Sequence, residues 1–123
     1  MQYIGGKAVL FVMQNTPVAK TATGTLTAAE LLTAILNVTS AAAVSLTLPT
    51  GTLLDAAITA PALPINGCFE WSVINTGSST GIVTLVAGVG HTIVGSATVA
   101  VGASQRYLTR KTVANTYVTY TIA

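Results

Sequence analysis

A mainly β chain, folded as an antiparallel, jelly-roll-like β-sandwich of about seven or eight strands with two short helices, is what this sequence predicts. Three observations carry the prediction. From residue 68 onward the chain is a succession of strand-length segments rich in Val, Thr and Ile. In GIVTLVAGVGHTIVGSATVAVGASQRYLTR, glycines recur every seven residues at Gly81, Gly88, Gly95 and Gly102. Two hydroxyl-plus-acid pairs of the helix-capping type precede short apolar stretches.

At 123 residues the chain has the size of one domain. Residues 1 to 24 divide from the rest by character. Lys7 leads into Ala8-Val9-Leu10-Phe11-Val12-Met13, shorter than the apolar core of a secretory leader and read as a strand, with a leader as the alternative. Asn15-Thr16-Pro17 and Thr21-Ala22-Thr23-Gly24 then read as an extended arm, with the domain proper at 25–123.

Thr27-Ala28-Ala29-Glu30 is a capping box, and Leu31, Leu32, Ile35 and Leu36 follow at helical spacing, so a helix is expected over 28–37. Asn37-Val38-Thr39 matches a glycosylation sequon but reads as a helix end. Val44 to Leu48 is strand-like and Pro49 with Gly51 a turn. Thr52 and Asp55 repeat the cap spacing and predict a second helix over 53–60, stopped by Pro61. Pro61, Pro64, Asn66 and Gly67 form a stiff connector.

In the next strand Phe69, Trp71 and Val73 alternate with Glu70 and Ser72, which puts the aromatic side on the core and Glu70 outside. Cys68 has no thiol to pair with and is expected as a small buried apolar residue. Helical heptads cannot explain the glycine stride, because glycine inside a helix costs about 1 kcal/mol relative to alanine and the intervening residues are β-branched. The stride predicts instead an antiparallel meander through segments 82–87, 91–94, 97–101 and 103–110, each glycine turning the chain. Val113-Ala114-Asn115 separates the last two strands.

Charged residues make up 7% of the chain, against about 25% in an ordinary soluble domain. A surface so poor in charge is weakly protected against association, and self-association is expected. The net charge of +2 rests on five scattered bases, too few for a phosphate-tracking stripe, so nucleic acid is not an expected partner. Mean hydropathy is +0.71, yet the uncharged run 31–54 is broken by Asn37, Pro49 and Gly51, which argues against a membrane span.

No cofactor, metal site or catalytic residue is expected. Gly77-Ser78-Ser79-Thr80-Gly81 matches the nucleophile-elbow pattern, but a strand follows it where a helix is required. Gly88-Val89-Gly90 lacks the third glycine and the helix of a dinucleotide loop. One histidine, His91, one cysteine and three acids do not make a metal cluster. Lys7, Lys20, Arg106, Arg110 and Lys111 remain as candidate partner-docking residues; Arg106 and Arg110 share a strand face and Lys111 opens the next turn.

The succession TAAELLTAILNVTSAAAVSLTLPTGTLLDAAI, the strand Phe69-Glu70-Trp71-Ser72-Val73-Ile74-Asn75-Thr76, the Gly81-Ile82-Val83-Thr84-Leu85-Val86 segment and the Arg-bearing strand before a last aromatic one resemble small virion-surface proteins of tailed bacteriophages and large DNA viruses. The resemblance covers residues 25 to 123. It implies a capsid decoration or cement protein, assembled as a homotrimer on the outside of the capsid and bound to the major capsid protein or other virion proteins. Residues 1 to 24 lie outside the resemblance and are expected, on their extended character, to be an arm reaching the capsid or an adjacent trimer. The alternative is a fibre or spike domain that binds a host receptor or glycan, for which Tyr3, Tyr107, Tyr117 and Tyr120 are the candidate contacts.

Overall fold

The structure, a computed structural model, describes residues 2–4, 7–9 and 13–123, the first two stretches as backbone only. It is mainly β with two short helices, and its sheets are mixed. In chain order the elements are β1 (Gln2–Ile4), β2 (Lys7–Val9), β3 (Val18–Lys20), β4 (Gly24–Thr25), α1 (Ala28–Leu32), β5 (Ile35–Val38), β6 (Val44–Thr47) and α2 (Gly51–Ala57). There follow β7 (Cys68–Asn75), β8 (Val83–Val86), β9 (His91–Val94), β10 (Thr98–Val99), β11 (Ser104–Val113) and β12 (Thr116–Thr121).

β1 and β2 pair with each other, and residues 10–12 of the expected N-terminal strand lie outside the described residues. The other strands form a six-stranded sheet, β3-β5-β7-β11-β12-β9, and a four-stranded sheet, β10-β8-β6-β4. From β3 to β11 every odd-numbered strand belongs to the first and every even-numbered strand to the second.

This alternation corrects the expected antiparallel meander. Each link leaves one sheet for the other, and from β3 to β8 the chain re-enters a sheet two strands later running in its former direction, whereas β10 and β11 re-enter reversed relative to β8 and β9. The crossover that parallel pairing requires is thus supplied by the intervening strand. β3–β5, β5–β7, β4–β6, β6–β8 and β9–β12 are parallel, while β7–β11, β11–β12 and β8–β10 are antiparallel. The glycine stride marks changes of sheet: Gly95, at φ +101°, takes the chain from β9 in one sheet to β10 in the other.

Both helices are shorter than or shifted from expectation. The Thr27–Glu30 capping box is present, Glu30 N–H donating to Thr27 Oγ1 (3.1 Å) and Thr27 N–H to Glu30 Oε1 (2.9 Å). α1 ends at Leu32 because Ala34 turns left-handed (φ +79°). Ile35–Val38, expected as the rest of the helix, is instead a strand held between β3 and β7, with Leu36 and Val38 fully buried. Leu32, counted in the helical stripe, is exposed. α2 begins at Gly51 with Thr50 as its cap, accepting from Leu53 N–H at 3.2 Å, so Thr52 and Asp55 are not a cap pair.

One buried cluster draws on both sheets and both helices: Leu36, Val38, Trp71, Val73, Tyr107 and Tyr117 from the larger sheet, Val44, Leu46, Val83, Leu85 and Val99 from the smaller, Leu31 and Leu54 from the helices. Trp71 and Tyr107, opposite each other in register, stack with ring centroids 4.7 Å apart. Cys68 is exposed, against expectation. It lies two residues from Glu70, on the side of the strand opposite Phe69 and Trp71, and that alternation outweighs the usual preference of cysteine for the interior.

Candidate functional site

The candidate docking bases do not converge on one site. Lys7 lies in β2, with its side chain outside the described residues. Lys20 sits in β3, in register with Val38, and binds Glu30 Oε2 at 2.5 Å. Burial raises the Glu30 carboxyl pKa, but hydrogen bonds from Lys20 and Thr27 outweigh it and leave the group below its ordinary range. β3 and β4 therefore extend the two sheets, and of the expected arm only residues before Val18 precede the first of these strands.

Lys111 does not open a turn. It lies inside β11, where a bulge falls between it and Val113, and its ammonium reaches Asp55 Oδ1 (3.1 Å) and the Leu63 carbonyl (3.1 Å). Asp55 is the centre of this cluster. Its Oδ1 accepts from the Tyr117 hydroxyl and its Oδ2 from Asn115 N–H at 2.7 Å. The Tyr117 hydroxyl and these other donors hold the Asp55 carboxyl below its usual range despite partial desolvation, while burial and the neighbouring carboxylate push the Tyr117 phenol up. One side chain of α2 thus fastens the helix to the β11–β12 turn. The fit is tight: a Cβ on Gly51 would come within 1.9 Å of the Asn115 carbonyl oxygen.

A second polar cluster is wholly neutral and lies in the core. Trp71 Nε1–H donates to Thr109 Oγ1 at 2.8 Å, Thr109 and Thr119 share a hydroxyl contact at 2.7 Å, and Thr119 meets His91 Nε2 at 2.5 Å. His91 Nδ1 meets the Pro49 carbonyl at 3.0 Å. The last contact fixes the direction of the chain, since a carbonyl only accepts: Nδ1 carries the proton, Nε2 accepts from Thr119, and Thr119 accepts from Thr109. Desolvation lowers the His91 pKa, with the Pro49 carbonyl opposing weakly. His91 is 1% exposed and its ring nitrogens meet Pro49 and Thr119, not Ser79 of the elbow-like stretch. Among the described residues no cluster of three His, Cys, Asp or Glu could hold a metal ion, and no helix is long and apolar enough to cross a membrane.

Sequence reasoning missed both clusters. Thr109 and Thr119 share strand parity with the buried Tyr107 and Tyr117, a usable sign that they face inward, but their partners 28 to 38 residues away leave no local trace. Of the tyrosines suggested for glycan contact, Tyr107 and Tyr117 are fully buried, a correction with the same cause. Tyr3 has its side chain outside the described residues. Tyr120 is half-buried, and its hydroxyl accepts from Arg110 Nη2 (2.7 Å) and Nε (3.1 Å).

The outward faces of the two sheets remain. Arg106 and Arg110 do share the outer face of β11. Arg110 is engaged by Tyr120 and by Asn66 Oδ1 at 2.8 Å. Arg106 is exposed beside an open cleft of about 430 Å³ lined by Ile35, Ser72, Ile74 and Ser104. The four-stranded sheet turns outward Thr25 and Thr47, in register with Val86, and Ser45 with Thr84 and Thr98. Its strands β4, β6, β8 and β10 carry no charged residue. Compared with protein-family models, curated proteins and solved structures, the chain matches none.

Proposed function

We propose that this protein is a structural component of a virion surface: a capsid decoration or cement protein, active as a homotrimer, whose two sheets stack as a jelly-roll-like sandwich on the outside of the shell. The observation that carries the reading is the charge-free outer face of the four-stranded sheet, a platform of threonines, a serine and exposed Ile82 and Val86. Such a face loses little solvation when it meets another neutral surface, and many weak contacts of this kind add up over repeated copies. Residues 1 to 17, which precede the first strand of the two larger sheets, are the proposed arm toward the major capsid protein.

The decisive experiment adds the purified protein to shells stripped of it. Saturable rebinding that raises the temperature of shell disruption supports cement. Binding confined to host cells or glycans replaces this reading with the fibre domain. Removing residues 1 to 17, which takes away the β1–β2 pair but no strand of the two larger sheets, is expected to leave a cooperative unfolding transition and weaken shell binding; undiminished binding refutes the arm.

A further inference from the structure

Every acid and base with a described side chain has a partner within the chain except two on the same face. Glu30 is paired with Lys20 and Asp55 with Lys111, while Arg110 is engaged by Tyr120 and Asn66. Glu70 and Arg106 are exposed and, among the described residues, have no ion-pair partner. Glu70 is in register with Leu108 and Arg106 with Ser72, so the two charges stand diagonally on adjacent central strands of the six-stranded sheet. Such diagonal neighbours are about 7–8 Å apart. Around them the face carries Ser72, Ser104 and the engaged Arg110 beside apolar groups: Leu108 is half-buried, and Ile74, Val94 and Ile122 are 38%, 53% and 46% exposed.

We infer that this face is a two-fold contact with a second copy of the chain. A two-fold axis between two such faces, set across the Glu70–Arg106 diagonal, lays Glu70 of each copy on Arg106 of the other. It satisfies both leftover charges twice while covering the apolar residues, the self-complementarity that an isologous contact requires. The cleft beside Arg106 admits the incoming carboxylate between Ser72 and Ser104. The sheet is roughly 24 Å across at about 4.8 Å per strand gap, and its central strands of 8 and 10 residues give a footprint on the order of 600 Å², near the ~800 Å² per partner of a stable interface. The contact is distinct from any that closes a three-fold ring. It links each copy, or each trimer, to one other.

Sedimentation of the full-length protein tests it. The wild type is expected in even-numbered assemblies. Glu70→Arg and Arg106→Glu, each replacing an exposed side chain, are expected to halve the mass and raise the dissociation constant by roughly 10- to 100-fold. The double reversal Glu70→Arg/Arg106→Glu is expected to restore both. Raising salt from about 0.05 M to about 1 M slows association of the wild type, because the attraction between the still-exposed charges of approaching copies is screened. A monomeric wild type, masses unmoved by the single reversals, or a double reversal that fails to restore association overturns the inference. A trimer indifferent to all three variants overturns it while leaving the cement reading intact.

Discussion

Two polar clusters tie the six-stranded sheet to its surroundings, and they do so by opposite means. The Asp55 cluster is charged, sits where α2 meets the β11–β12 turn, and draws three donors onto one carboxylate. The Trp71–Thr109–Thr119–His91–Pro49 chain is neutral and lies at the centre of the core. Partial solvent contact lets a carboxylate keep its charge, so the first cluster can afford an ion. In the second, a charge would be costly, and every hydrogen has one acceptor only while His91 is neutral. Protonated His91 would donate toward Thr119, turn the Thr119 hydroxyl toward Thr109, and leave the Thr109 hydrogen without an acceptor.

The sharpest way to break the charged cluster is steric. Gly51→Ala drives a methyl into the Asn115 carbonyl, and a loss of about 3 kcal/mol is expected in urea unfolding. In the neutral chain, Thr119→Val keeps the shape but strands His91 Nε2 and the Thr109 hydroxyl, for an expected loss of roughly 2 kcal/mol. If both substitutions cost the same as a surface Thr→Val change, neither cluster organises the sheet.

Acid separates the two. His91 has its pKa lowered by folding, so the unfolded chain takes up a proton first, and stability declines as pH falls below the usual 6.5 toward the depressed folded value. Asp55 is also lowered, from 3.8; its contribution is complete above that value and is lost as pH falls through the folded pKa. Unfolding midpoints against pH are therefore expected to fall in two stages. Glu30, lowered from 4.5, is lost in the same lower stage, so Asp55→Asn is expected to shrink that stage without abolishing it, leave the upper, and cost about 1 kcal/mol at neutral pH. The smallest effect concerns Tyr107, whose buried hydroxyl has no hydrogen-bond partner among the described residues and whose phenol is pushed by burial up to about 12. Tyr107→Phe is expected to stabilise by up to about 1 kcal/mol; a clear loss would mean that the hydroxyl has a partner in solution.

What could be read from the sequence was what is decided within a few residues. The Thr27–Glu30 cap, the limits of β9 and the inward side of Trp71 and Val73 all follow from local spacing, and all are found. The strand at Ile35 was hidden because Leu31, Leu32, Ile35 and Leu36 satisfy a helical period, and only pairing with β3 and β7 decides otherwise. Asp55 was misassigned for a similar reason. Its spacing from Thr52 fits a cap, whereas its actual partners lie about 60 residues downstream. Cys68 is the opposite case, since the alternation already placed it beside Glu70 and residue type was the misleading guide.

The alternation of the chain between sheets has a kinetic side. Within the two larger sheets only β11 and β12 are neighbours both in sequence and in pairing; every other pair joins strands at least two elements apart in the chain. Such a chain cannot zip up hairpin by hairpin, and it incurs the entropy of large loops before its long-range contacts compensate. Slow folding follows. During synthesis β7 leaves the ribosome with β5 beside it but one edge bare until β11 arrives, which makes the newborn chain most prone to pairing with its own copies over that interval.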